Sequence, residues 1–308
     1  MKDLFGRDFL SVADLNAGEL AAVLDAADAF KSSLRAGAVK RSLEGKAVAL
    51  IFQKPSTRTR VSFEVAVHHL GGHPVVLNAA ELQLGRGETI ADTGRVLSRY
   101  VHAITLRTYG HHEVEELARA AEVPVINALT DLEHPCQVLA DLMTIRERKG
   151  ELAGIRLAYV GDGNNVANSL ALGCALTGMV FTAGCPEGYE PDARIIALAR
   201  SLAGPDAVRV VHDARQAVAG AQVVYTDVWT SMGQKEDQRR RRDLEPFRLD
   251  GELLAAADPE AVAMHCLPAH RGDEITDDVL DGPRSAVWDQ AENRMHVQAA
   301  LLHLLAGR

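Results

Sequence analysis

Ala47-Val48-Ala49-Leu50-Ile51-Phe52-Gln53-Lys54-Pro55-Ser56-Thr57-Arg58-Thr59-Arg60 holds two kinds of chemistry in one run. Its first six residues are continuously apolar, as in a strand covered on both faces of a parallel sheet. Beyond the run, Phe63, Val67 and Leu70 fall on one face of a helix. Between strand and helix, Pro55 suits a first turn and Ser56 or Thr57 a cap, which leaves backbone N–H groups pointing outward. A helix start attracts anions, and open α/β sheets bind ligands at the carboxyl ends of their strands. The hydroxyls of Ser56, Thr57 and Thr59 add donors, and the guanidinium of Arg58 forks onto phosphate or carboxylate. Capping alone accounts for one Ser or Thr, not for the whole run. The Gly-Lys-Ser/Thr order of a nucleotide-hydrolase phosphate loop is absent, so the anion is small.

Outward from this stretch, apolar runs alternate with helical periodicity, the pattern of βα units and parallel sheets. Strands are expected at 47–52, 75–77, 103–106 and 123–126, then at 155–160, 179–183, 208–211, 223–226 and 262–265. The fold class is α/β, with two doubly wound parallel-sheet domains. The charged stretch Arg146 to Glu151 suggests the division, giving residues 1–148 and 149–288, with a final amphipathic helix in 289–308. Gly233 to Arg242, ending in four arginines, reads as a mobile surface loop whose charges form a solvated face.

Bulk properties narrow the partners. A chain of 308 residues has room for about two ordinary domains. Its formal net charge of −9 argues against a nucleic-acid surface. An anionic ligand must therefore be caught by a local basic cluster. Cys136, Cys174, Cys185 and Cys266 are widely spaced, without zinc-site spacing, and read as free thiols of a reducing compartment. No stretch approaches a membrane span or the apolar core of a signal peptide, so a cytoplasmic protein is expected.

A second constellation, Asp131-Leu132-Glu133-His134-Pro135-Cys136-Gln137, lies between a strand and a helix through Leu139, Leu142 and Met143. Together with Ser56-Thr57-Arg58-Thr59, this His-Pro-x-Gln element resembles the aspartate/ornithine carbamoyltransferase family. Asp227-Val228-Trp229-Thr230-Ser231-Met232-Gly233 and His265-Cys266-Leu267-Pro268 look like that family's ornithine-binding loops. The resemblance runs nearly end to end, through Gly161-Asp162-Gly163-Asn164-Asn165 and Ala291-Glu292-Asn293-Arg294. One departure is Gly94, where the family commonly has Ala.

The resemblance implies a site. Ser56, Thr57, Arg58, Thr59, Arg107, His134, Pro135, Cys136 and Gln137 would bind carbamoyl phosphate. Read without the resemblance, Cys136 is a structural thiol, like Cys174 and Cys185. Gln83 would reach a neighbouring subunit's site, implying a homotrimer or a multiple of trimers with shared active sites. Asn165, Asp227, Ser231 and Met232 would bind ornithine. Cys266, Leu267 and Arg294 would close over the reacting centre and belong to the carbamoyl-phosphate set. The final helix would return to the first domain.

The implied reaction transfers the carbamoyl group to the δ-amine of ornithine, giving citrulline and phosphate, as in arginine biosynthesis. An amine like that of lysine has a pKa of about 10.4, so the site must favour its neutral form. Asp227 and Cys266 are candidates to orient it and take up its proton. Arg58, Arg107 and His134 would stabilise the developing oxyanion. No metal or organic cofactor is expected, and the partners are the two small substrates, with neither nucleic acid nor membrane. Rivals are a carbamoyltransferase for aspartate, putrescine or an acylated ornithine, a nicotinamide-dependent oxidoreductase using Gly161-Asp162-Gly163, and a non-catalytic protein of the same fold. Ser231-Met232-Gly233 opposes the first by resemblance. The second lacks the third glycine of its fingerprint, Val166 or Ala167 standing there.

Overall fold

The computed structural model describes residues 4–78, 87–230 and 237–307. Its strands are β1 (Ala47–Phe52), β2 (His73–Asn78), β3 (Ala103–Arg107), β4 (Val125–Leu129), β5 (Arg156–Val160), β6 (Val180–Gly184), β7 (Val208–Val211), β8 (Val223–Thr226) and β9 (Val262–His265). The helices are α1 (Ala17–Arg35), α2 (Thr57–His69), α3 (Ile90–Leu97), α4 (His111–Ala120), α5 (Pro135–Lys149) and α6 (Asn165–Thr177). They continue as α7 (Ala193–Ala203), α8 (Ala214–Val218), α9 (Gln238–Leu244), α10 (Gly251–Ala255), α11 (Asp277–Leu280) and α12 (Val287–Ala306).

The chain divides into two compact units, Met1–Met143 with Asn293–Arg308, and Thr144–Glu292. Both divisions fall inside helices, α5 and α12, the same two helices that hold the expected positions after 148 and 288. The apolar periodicity of each helix runs on through the division, so no linker composition marks it.

The first unit's sheet has the order β2-β1-β3-β4, and every pairing is parallel. β3 is buried along its whole length, as expected for a strand covered on both faces. Ala49, Ile51, Ile104, Leu106, Val114, Leu117 and Val125 form part of its core. β4 starts at Val125, later than the sequence suggests, because Pro124 has no N–H to give a ladder. Gly94 also has a packing role: a Cβ there would lie 3.1 Å from Leu117 Cδ1 of α4.

The second unit's sheet has the order β7-β6-β5-β8-β9, again all parallel. α6 is buried on almost every side from Val166 to Ala175, which its nearly unbroken apolar sequence dictates. In each sheet the chain winds outward in both directions from a central pair, β1/β3 and β5/β8. Those two switch points are where such sheets open a crevice beyond the strand ends.

Candidate active site

At the first switch point, Ser56 caps α2 in an extended conformation, and its Oγ accepts the Thr59 N–H at 3.2 Å. The other amides of that first turn have no partner within the helix. Thr59 is buried, and its Oγ1 accepts from Arg294 Nη2 at 2.7 Å and from Arg107 Nη1 at 3.4 Å. Arg107 ends β3 beside β1, its carbonyl accepting the Gln53 N–H at 2.8 Å. Arg294 comes from α12 and also donates through Nη1 to Gln137 Oε1 in close contact. The Gln137 Nε2 in turn donates to Asp141 Oδ1 at 2.8 Å, both side chains fully buried.

His134 joins this cluster just before α5. Burial first, and then the positive charges of Arg294 and Arg107, hold its imidazole pKa well below the ordinary range. It is a neutral donor beside two cations. Arg58 and Thr57, in contrast, have no hydrogen-bond or ion-pair partner among the described residues, leaving their donors open to a ligand.

The remaining basic residues of the opening stretch serve the scaffold. Lys54 is buried, pairs with Asp131 and lies 4.1 Å from the Tyr109 ring centroid. Arg60 pairs with Glu64 one helical turn on, at 2.6 Å. Cys136 is likewise turned away: its Sγ donates to the Asn127 carbonyl at 3.4 Å, and burial pushes its thiol up to about 12. Pro135 and Cys136 can therefore offer an anion only the backbone at the start of α5. Gln83 lies outside the described residues.

At the second switch point, Asn164 caps α6, its Oδ1 accepting from Val166 N at 2.9 Å. Its Nδ2 donates to Asp227 Oδ2 at 2.7 Å, and the Cys266 thiol donates to Asp227 Oδ1 at 3.0 Å. Three loops, after β5, β8 and β9, thus converge on one carboxylate. Asn165, the residue named from the sequence, is the first residue of α6 and half-buried. The contact to Asp227 comes from its neighbour, and only the capping preference of asparagine before an apolar helix could have signalled this. Ser231 and Met232 lie outside the described residues.

His265 and Glu274 form a pair that sequence reasoning missed. Both are fully buried; His265 Nδ1 accepts the Leu267 N–H at 2.8 Å, and Nε2 faces Glu274 Oε1 at 3.2 Å. Accepting at Nδ1 places the proton on Nε2, where it is given to Glu274. Leu267 needs this support, since its φ of 59° is unfavourable for any residue but glycine. The Oδ, Nδ/Nε and Sγ atoms of Asp227, His265 and Cys266 lie within 4.8 Å of one another. Both nitrogens of His265 are engaged, however, so the trio offers a metal only two ligands.

The dinucleotide reading also fails on geometry. A Cβ at Gly163 would sit 2.3 Å from Pro191 N, so the backbone of residues 190–191 already covers the surface on which a pyrophosphate would rest.

Two parallel-sheet units, one with open donors at a helix start and the other with a carboxylate held by an amide and a thiol, fit the class of two-substrate transferases. Residues 7–147 match the aspartate/ornithine carbamoyltransferase carbamoyl-P binding domain, and residues 153–305 match the Asp/Orn binding domain of the same family. The chain belongs to the aspartate/ornithine carbamoyltransferase family. Among its relatives, the anabolic ornithine carbamoyltransferase of Pyrococcus furiosus is 55% identical over 307 residues, covering 99% of this chain and 98% of the relative. The ornithine carbamoyltransferase of Acidothermus cellulolyticus is 57% identical over 303 residues, covering 97% and 96%. The solved structure of the Pyrococcus furiosus enzyme superposes with a TM-score of 0.96 at 54% identity, covering 99% of each chain.

Proposed function

We propose that this protein is an ornithine carbamoyltransferase, moving the carbamoyl group of carbamoyl phosphate to the δ-amine of L-ornithine and releasing L-citrulline and phosphate. The observation that carries the reading is the Asn164–Asp227–Cys266 chain at the second switch point. It gives an aliphatic amine a carboxylate already oriented by two donors. Full-length similarity to ornithine carbamoyltransferases supports the same choice.

In this reading the phosphate rests on the open amides of α2 with Ser56, Thr57 and Thr59. Arg58, Arg107 and neutral His134 donate to the carbonyl oxygen, where negative charge grows as the amine attacks. Gln137 and Arg294 hold Thr59 and the start of α5 in place. On the amine side, Asp227 receives the δ-amine and takes up its charge as the proton leaves. Cys266 and Leu267 flank the reacting carbon, and Asn165, Ser231 and Met232 bind the amino-acid end of ornithine. Much of the acceleration comes from holding two substrates in register.

The direction is biosynthetic, toward arginine, as the word anabolic in the Pyrococcus furiosus relative's name suggests. Among the described residues no helix is long and apolar enough to cross a membrane, which fits a cytoplasmic enzyme. The assembly is a homotrimer or a multiple of trimers in which Gln83 serves a neighbouring site, on the strength of the family resemblance. Mixing inactive Arg58→Ala and Gln83→Ala chains tests sharing: recovered activity is expected, and none after proven subunit exchange refutes it.

A citrulline-formation assay with carbamoyl phosphate and ornithine, putrescine or aspartate tests the main assignment. Turnover with ornithine at least about tenfold above the other amines is expected; faster turnover with another amine overturns it.

A further inference from the structure

We infer that Arg240 is a positioning residue for the amino-acid substrate, fixing the loop after β8 that carries Asp227 against the loop after β5 that carries Asn164 and Asn165. The inference deepens the function proposed above and rests on it.

Residues 239–242 are four consecutive arginines, and composition gives them all to solvent. Only one behaves otherwise. The side chains of Arg239 and Arg241 are 82% and 63% exposed, whereas that of Arg240 is 21% exposed. Its Nε donates to the Trp229 carbonyl at 2.5 Å, and its Nη2 donates to the Asp162 carboxylate in close contact. The guanidinium carbon lies 5.1 Å from the Tyr189 ring centroid, a cation–π contact. Tyr189 is itself tied down twice. Its hydroxyl donates to Asp243 Oδ2 at 3.0 Å, and its carbonyl accepts the Gly163 N–H at 2.8 Å.

These partners stand close to the site. Trp229 is two residues after Asp227, and Asp162 two before Asn164, while Asn164 Nδ2 and Asp227 Oδ2 meet at 2.7 Å. One guanidinium therefore ties down both loops beside the Asn164–Asp227 hydrogen bond, one through the Trp229 carbonyl and the other through the Asp162 carboxylate. The task needs a planar fork, because two acceptors must be met from one side chain at a fixed angle. A lysine ammonium is a compact point charge without the planar fork, so it reproduces this pair with the ring contact only in part. Burial raises the Asp162 carboxyl against the lowering effect of Arg240, so removing the arginine would leave an unpaired buried acid.

The test is steady-state kinetics of Arg240→Ala, Arg240→Lys and, as a surface control, Arg242→Ala, whose side chain is exposed. A misplaced Asp227 costs affinity and rate for the amine, so KM for ornithine should rise about tenfold or more in Arg240→Ala. KM for carbamoyl phosphate, whose phosphate-binding residues Ser56, Thr57 and Thr59 lie in the other unit, should change less than about twofold. Arg240→Lys should recover part of the ornithine effect, and Arg242→Ala should match the unaltered protein on both substrates. Should Arg240→Ala not fold, Asp162→Asn keeps an acceptor without charge, and the same selective rise in ornithine KM is expected. An ornithine KM within about twofold of the unaltered protein in the folded variants, or equal losses toward both substrates, overturns the inference. Those results presuppose turnover by the unaltered protein; its failure to make citrulline refutes the proposed function instead.

Discussion

Arg294 Nη2 donates to Thr59 Oγ1 at 2.7 Å, across 235 positions of sequence. The contact puts a cation from α12 behind the first turn of α2, where the hydroxyl also accepts from Arg107. Thr59→Val keeps the shape and deletes the acceptor. Two buried guanidinium groups then lose a partner, at a cost of about 1–3 kcal/mol in unfolding free energy. The urea midpoint should fall accordingly, and KM for carbamoyl phosphate should rise while KM for ornithine stays near its starting value.

His134 gives a prediction about acid. Its folded pKa lies well below the ordinary histidine value of about 6.5 because of burial and two neighbouring arginines. Below about pH 6.5 the unfolded chain takes up a proton that the folded chain refuses, so stability drops as pH falls. Above that range the residue contributes no slope. The urea midpoint of His134→Asn should therefore depend less on pH between roughly 5 and 7 than that of the unaltered protein. An unchanged slope would contradict a neutral buried imidazole.

Thiol reactivity should single out the candidate active site. Cys136, Cys174 and Cys185 are buried and Cys266 is partly exposed. Burial pushes the thiols of Cys136 and Cys185 up to about 12, which removes the reactive thiolate. A chromogenic disulfide reagent at mildly alkaline pH should modify one group quickly in the native protein and four in denaturant. Cys266→Ser should abolish the fast phase.

Glu274 should matter without touching substrate. Its Oε1 faces His265 Nε2 and accepts the His270 N–H at 2.5 Å. Glu274→Ala leaves one buried donor and one part-buried donor unmet and frees the imidazole that supports Leu267. A loss of about 2–4 kcal/mol in stability is expected, read from chemical denaturation. A fall in kcat should accompany it, because Cys266 is the residue between His265 and Leu267.

Most of the fold was legible because the strands announce themselves. β1, β7, β8 and β9 occupy the ranges their apolar runs suggest, each bounded by polar or small residues. β4 is displaced by Pro124, a local rule outweighed in the reading by the apolar Val123. The division into units was harder to place, since α5 and α12 carry their periodicity through it without a break.

The candidate site divides the same way. Hydroxyls and arginines after β1 point to an anion from sequence alone, because helix starts and strand ends have fixed chemistry. The solvated face assigned to residues 239–242 holds for Arg239, Arg241 and Arg242 but misses Arg240, which packs against Trp229, Asp162 and Tyr189. The expected mobile surface loop is also revised where it is described, because Gln238–Leu244 forms α9. A run of identical charges carries no mark of which one is drawn out of solvent. The His265–Glu274 pair was hidden for a related reason: two polar residues nine positions apart show no periodicity.

The link between Gln137 and Arg294, 157 positions apart, also sets an order of events in time. A ribosome finishes Ser56, Arg107, His134 and Gln137 well before it reaches the codon for Arg294. Until then the nascent chain has the hydroxyls and helix starts of an anion site but lacks the guanidinium that secures Thr59 and Gln137. Half-made protein should thus be unable to sequester the phosphorylated substrate, and that capacity should arrive late in translation.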